Sequence, residues 1–164
     1  MWLVGMMGSG KTSVGRLAAQ ALDVGFYDSD EAVAALQGGA IAEIWDDVGE
    51  CHFRDLERSA IAAAPRNAVA AAGGGAVLDP GNRRAMRLDP PVIWLRARPD
   101  TLASRLGGAT DRPLLAQPRA TIDVLRDILA DRTESYVAAA THIVDTDDRT
   151  LENVASEVIE LWPG

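Results

Sequence analysis

Lysine is nearly absent from this chain: of 16 basic residues in 164, only Lys11 is lysine and the rest are arginine. Cysteine is as scarce. Cys51 stands alone, which excludes an internal disulfide framework, and with only His52 and His142 beside it no Cys/His metal cluster can form. Both histidines read as incidental. Aromatic residues make up 5% of the chain, and no basic run or aromatic-interleaved stripe is present; with a formal charge of −8, general nucleic-acid binding is not expected. No stretch approaches the ~18 uninterrupted apolar residues of a membrane span. No charged leader with an apolar segment precedes the first strand candidate, so a soluble, cytoplasmic protein is expected. There is no repeat and no low-complexity linker. The length and the 48% hydrophobic content fit one domain over residues 1–164. No exposed interface pattern stands out, so the expected state is a monomer.

The single lysine lies inside Gly5-Met6-Met7-Gly8-Ser9-Gly10-Lys11-Thr12, a complete phosphate-binding loop. In a composition pushed toward arginine, a surviving lysine marks a place for a compact ammonium where a guanidinium fork does not fit. The glycines let the backbone curl with N–H groups inward, and the following helix adds its positive N-terminal end. Lys11 then reaches the β and γ phosphates of a nucleotide, and Thr12 offers the hydroxyl that commonly ligates Mg²⁺. Ser9 and Ser13 by themselves are small helix-entry residues. Trp2-Val4 reads as a short buried strand before the loop and Val14 to Leu22 as a helix after it, the order this motif requires.

Beyond the loop, short apolar runs alternate with longer amphipathic stretches. Strands are expected at Trp2-Val4, Gly25-Tyr27, Ala68-Ala72, Val92-Leu95 and His142-Val144, and helices at about 11–22, 31–37, 41–46, 49–64, 80–87, 99–106, 120–139 and 150–162. That alternation implies an α/β fold with a parallel sheet covered on both faces and ligands at the carboxyl ends of the strands. Residues 107–118, with a glycine pair and two prolines between good helices, read as a loop of the length used for active-site lids.

Four further groups carry chemistry. Asp28-Ser29-Asp30 ends the second strand; its carboxylates are either helix caps or a Mg²⁺-holding and hydroxyl-orienting pair. Arg54, Glu57 and Arg58 share a helical face, which taken alone reads as an exposed salt-bridged surface. Gly73-Gly74-Gly75 after an apolar strand is either a tight turn or a place where backbone N–H groups approach a ligand. Arg112 and Arg132 complete the set, each of them compatible with an ordinary surface position.

In combination these residues resemble the shikimate kinase family over essentially the whole chain. Gly-Ser-Gly-Lys-Thr followed by Gly15-Arg16, Asp28-Ser29-Asp30, Gly49-Glu50 leading to Phe53-Arg54, Gly73-Gly74-Gly75, Arg112-Pro113-Leu114-Leu115 and Arg132 with Tyr136 fall in the family's order at close to its spacings. The resemblance implies a P-loop NTPase-type three-layer αβα sandwich with a five-stranded parallel sheet in order 2-3-1-4-5. It also implies a substrate-binding helical region over about 31–62 and a lid over about 107–119. The implied reaction is transfer of the γ-phosphoryl of ATP to the 3-hydroxyl of shikimate, in the pathway to chorismate and the aromatic amino acids.

By position, the resemblance puts Gly8, Ser9, Gly10, Lys11, Thr12 and Ser13 around the nucleotide phosphates. Arg105 lies along the adenine, and Arg112 swings in with the lid. Thr12 and Asp28 hold Mg²⁺. Asp30 engages the ring hydroxyls and takes the acceptor proton, Arg54 and Arg132 clamp the carboxylate, and the Gly74 N–H contacts a ring hydroxyl. Trp45 and Phe53 wall the ring, and Glu57 holds an arginine in place. Lys11, Asp30 and Arg112 are the implied catalytic groups. Asp111 beside Arg112, and Leu151 where many relatives have proline, depart from the family's pattern. Two rivals remain open at this point: another small-molecule kinase of the same architecture, such as a gluconate kinase, and a non-catalytic nucleotide-binding module.

Overall fold

The computed structural model describes residues 1–88, 91–107 and 119–163. Five strands, β1 (Trp2–Val4), β2 (Gly25–Asp28), β3 (Ala68–Ala71), β4 (Val92–Arg96) and β5 (His142–Asp145), pair entirely in parallel in the order β2-β3-β1-β4-β5. This is the expected order. Among the described residues seven α-helices accompany them: α1 (Lys11–Leu22), α2 (Ser29–Gln37), α3 (Ile41–Ala62), α4 (Pro80–Arg87), α5 (Pro99–Leu106), α6 (Thr121–Ala139) and α7 (Leu151–Glu160). No helix among the described residues is long and apolar enough to cross a membrane.

Strands this short and apolar succeed because both sheet faces are covered. Side chains alternate across β1: Trp2 and Val4 enter one core with Ala70, Val92 and Trp94, while Leu3 enters the other with Val69, Ile93 and Leu95. Helices α4 and α6 close the first core through Met86, Leu125 and Tyr136, and α1 and α7 close the second through Val14, Ala18, Val154 and Val158. A third, smaller core of Val33, Ile44, Phe53 and Ala60 joins α2 to α3. The loops after β1, β2 and β3 emerge at one edge, and those after β4 and β5 lie beside them.

Element boundaries depart from expectation where a cap or a turn intervenes. Helix α2 starts at Ser29, two residues before the expected 31, because the Asp28 side chain accepts hydrogen bonds from the Asp30 and Glu31 N–H groups. A 3-10 turn at Ala76–Leu78 follows the glycine run, where none was expected. The expected break between helices 41–46 and 49–64 is real in direction: α3 runs on as one element, but Gly49 inside it has φ 75° and ψ 163°.

That conformation is open to glycine and strained for any other residue. An added Cβ at Gly49 meets nothing within 4 Å. Gly49→Ala therefore isolates backbone strain from crowding: it is expected to destabilise the fold by about 1–3 kcal/mol, read from a urea denaturation midpoint. An unchanged midpoint would contradict a kink held at this residue.

Candidate functional site

The phosphate loop leaves the central strand β1 and delivers the chain to α1 with Gly8 at φ 79° and Gly10 at φ 94°. Lys11 folds over the loop, its Nζ donating to the carbonyls of Gly5 at 2.9 Å and Met6 at 3.0 Å. This caps the curl from inside and leaves the ammonium beside the cleft that Lys11 lines. Thr12 Oγ1 donates to Asp28 Oδ2 at 2.9 Å. The other oxygen of Asp28 accepts from the Asp30 N–H at 3.0 Å. Capping and presentation toward the loop are thus not alternatives, because one carboxylate does both with separate oxygens.

Across a cleft of about 520 Å³ from Lys11 and Thr12 stand Asp30, Arg54, Gly74 and Arg132, with Trp45 and Phe53 forming an apolar wall whose ring centroids are 5.0 Å apart. The face bearing Arg54 and Glu57 is not the exposed surface that its spacing suggests. Glu57 is buried, its side chain 3% exposed, and it accepts from Arg54 Nη1 at 2.9 Å. Arg58 does turn outward, pairing with Asp55 and with Asp79. The helix is amphipathic in the opposite sense to a salt-bridged surface: a charged pair lies where an apolar stripe would, because the space it faces is a polar cleft. Burial raises the Glu57 carboxyl above the usual range and the Asp30 carboxylate adds to this, while the Arg54 and Arg132 guanidiniums pull it back.

Close approach explains the glycine run. A Cβ on Gly73 would stand 2.5 Å from Asp30 Oδ1 and 2.8 Å from Glu57 Oε1; one on Gly75 would stand 2.8 Å from Arg54 Nη1. Arg132 Nη1 lies 3.7 Å from the corresponding point at Gly74. Four charged side chains therefore pack directly on the backbone of three residues. The Gly73 N–H is occupied by Ser29 Oγ at 2.9 Å, and the Gly74 carbonyl by the Tyr136 hydroxyl at 2.7 Å. Neither contact was expected, although Tyr136 stands one helical turn after Arg132, a spacing that puts both on one face.

A second cavity of about 420 Å³ shares Gly8, Gly10 and Ser13 with the first and continues past Ser9 to Arg105, Arg149 and Leu151. Arg105 donates to the Thr146 hydroxyl at 2.8 Å and carbonyl at 2.6 Å. The Ser9 hydroxyl is buried and has no hydrogen-bond partner among the described residues. Thr146 and Arg149 had no sequence signal. Leu151 lies at the rim, half-exposed. Arg112 and Asp111 fall within residues 108–118, outside the described residues, as does nearly all of the expected lid. His52 and His142 are exposed, and neither lines the two cavities.

The two cavities meet at the loop built to carry phosphate, with an arginine-bearing cleft on one side and a second cavity of about 420 Å³ on the other. A protein so arranged falls in the class of P-loop kinases of small molecules. A shikimate kinase family model matches residues 7–162. A shikimate kinase of Salinispora tropica is 46% identical over 164 residues, covering 98% of this chain and 96% of the relative. One from Caldanaerobacter subterraneus subsp. tengcongensis is 40% identical, covering 98% and 94%. The solved shikimate kinase of Acinetobacter baumannii, in complex with shikimate, superposes with a TM-score of 0.90 at 32% identity, covering 98% of this chain and 90% of that one. The chain belongs to the shikimate kinase family.

Crowding at the glycine run yields a test. Gly73→Ala must push Asp30 and Glu57 aside, and a displacement of about 1 Å at reacting groups costs on the order of 10²-fold in rate. Turnover is expected to fall by about that factor with MgATP affinity nearly unchanged, read from steady-state kinetics beside calorimetric nucleotide binding. Wild-type turnover in the variant would show that the carboxylates do not need this contact.

Proposed function

We propose that this protein transfers the γ-phosphoryl group of ATP to the 3-hydroxyl of shikimate, giving ADP and shikimate 3-phosphate, in the route to chorismate and the aromatic amino acids. The observation that carries the reading is the pair Arg54 and Arg132 packed on Gly75 and Gly74, facing Lys11 and Thr12 across one cleft. Planar guanidiniums suit a carboxylate, which they can hold in a bidentate fashion. The apolar edge formed by Trp45 and Phe53 suits a ring better than the open chain of gluconate, which favours shikimate over the nearest rival acceptor.

In this reading Arg54 and Arg132 clamp the carboxylate and the Gly74 N–H holds a ring hydroxyl. Asp30 accepts the proton of the 3-hydroxyl as its oxygen attacks the γ-phosphorus and the bond to the β-bridging oxygen breaks. The backbone of Gly8 to Ser13 cradles the phosphates, with Lys11 beside them, and Arg105 and Leu151 flank the base. Arg112, outside the described residues, keeps the role the resemblance implies, neutralising charge on the transferred group. Thr12 and Asp28, two oxygen donors already in contact, fit Mg²⁺, which takes one or two protein oxygens and fills the rest of its shell with water and phosphate. Bound there, Mg²⁺ would neutralise phosphate charge. We place residues 31–62 as the acceptor-binding part of one domain spanning 1–164, in a cytoplasmic monomer that acts on a small molecule.

A coupled assay of ADP release with MgATP, offering shikimate, quinate, gluconate and buffer alone, tests the acceptor. Only shikimate is expected to stimulate release strongly. Stimulation by another acceptor would reassign the cleft, and acceptor-independent behaviour would favour a nucleotide-binding module. Asp30→Asn is expected to cut turnover by about 10²–10⁴-fold, the span of general base catalysis, with ATP binding intact, and Lys11→Met to abolish activity. Near-normal turnover in Asp30→Asn would remove its role as base.

A further inference from the structure

Tyr136 is a fully buried aromatic residue whose ring stacks on Trp94 with centroids 5.3 Å apart and planes 16° from parallel. Packing alone would be served as well by phenylalanine, which brings no hydroxyl to satisfy in the core. The hydroxyl's partner is specific: it donates to the Gly74 carbonyl at 2.7 Å, the centre of the turn on which Asp30, Glu57, Arg54 and Arg132 rest. Arg132, four residues earlier on α6, packs on the same glycine, its Nη1 3.7 Å from the point a Cβ on Gly74 would occupy. A carbonyl and the N–H of the same peptide plane point in opposite directions. Anchoring the Gly74 carbonyl therefore also sets the direction of the Gly75 N–H and the entry of the chain into Gly75, at whose open Cβ position the Arg54 guanidinium packs. Burial pushes the Tyr136 phenol up to about 12, so it is a protonated donor at any ordinary working pH.

We propose that Tyr136 is a positioning residue for the acceptor, its hydroxyl locking the Gly74 peptide and the Arg132 guanidinium into one preset unit that receives the acceptor's carboxylate. The inference rests on the shikimate reading of the cleft. It gives the family motif of Arg132 with Tyr136 a physical meaning: the arginine touches the ligand, and the tyrosine removes the freedom that the arginine and the glycine turn would otherwise lose on binding.

Tyr136→Phe keeps the ring and the stack on Trp94 and deletes only the hydroxyl. The KM for shikimate is expected to rise about tenfold, as for a buried partner left unpaired, while the KM for ATP stays within about twofold. The preference for shikimate over its methyl ester is expected to narrow, since a released Arg132 reads the carboxylate less well. In an Arg132→Gln background the same substitution is expected to add less than about twofold, because the contact it acts through is already gone. A folded variant in which both KM values move together, or neither moves, would overturn the proposal. If Tyr136→Phe does not fold, fluorinated tyrosine at position 136 keeps the shape and makes the phenol more acidic. The KM for shikimate, and not that for ATP, must then climb toward alkaline pH in the fluorinated protein earlier than in the natural one, and a flat profile overturns the idea. Failure of the underlying reading is distinguishable: a natural protein that does not turn over shikimate overturns both, whereas one that does, with Tyr136→Phe unchanged, overturns this inference alone.

Discussion

The arginine-bearing cleft depends on a largely buried ion pair, Glu57 with Arg54. Two guanidiniums facing the same small volume repel each other, and a cleft holding only Arg54 and Arg132 would relax toward solvent. A carboxylate fixed beneath them offsets that repulsion before any ligand arrives. Burying it carries a desolvation penalty, visible in the raised Glu57 carboxyl. Arg54 offsets part of it. The remainder is the cost of holding these charges in place, and removing one member of a buried pair typically costs about 3–5 kcal/mol. The same constraint dictates the backbone beneath: Gly73 and Gly75 have no Cβ because the charged groups occupy that space.

A chain with a formal charge of −8 must bind anions through local rather than global attraction. Much of its arginine is committed elsewhere. Arg96 pairs with Asp145 at the ends of β4 and β5, Arg98 with Asp148, and Arg149, at the lining of the second cavity, with Glu157. Such exposed pairs add little stability. Their effect is to cancel field at the surface, so the potential that matters is set by the few cations with buried backing. Lys11 is one of these, held by two loop carbonyls, and a guanidinium could not be folded into so tight a curl.

Much of the fold was legible in the sequence because its signals are local. Every strand is an apolar run between turn-forming residues, and the phosphate loop fixes the first strand and first helix to the residue. Helices α4 and α5 lie where they were expected, each with a proline in its first turn. Contacts between distant segments were harder to read. Arg54 and Glu57 have the spacing of a surface pair, and nothing within α3 says that the face they occupy meets a cleft. The glycine run suggested a ligand approaching backbone N–H groups; it did not suggest that the Gly73 N–H would be taken by Ser29 or that the protein's own charged side chains would pack on the run. Tyr136 carried a faint signal in its distance from Arg132, yet its partner lies 62 residues away in sequence.

The two cavities are divided by backbone rather than by side chains, since Gly8 and Gly10 with Ser13 line both. The stretch they share runs into the start of α1. Lys11 and Thr12 stand there, and Asp28 reaches Thr12 from the second strand with one oxygen while capping α2 with the other. The cap links the two halves mechanically: a shift of α2, which carries Asp30, moves the carboxylate that Thr12 contacts. Placement of the acceptor-side acid and of the loop hydroxyl is therefore one structural variable, set by a single aspartate at the end of β2. Chemistry that is mostly positioning gains from that coupling, because the carboxylate on α2 and the phosphate loop cannot be misaligned independently.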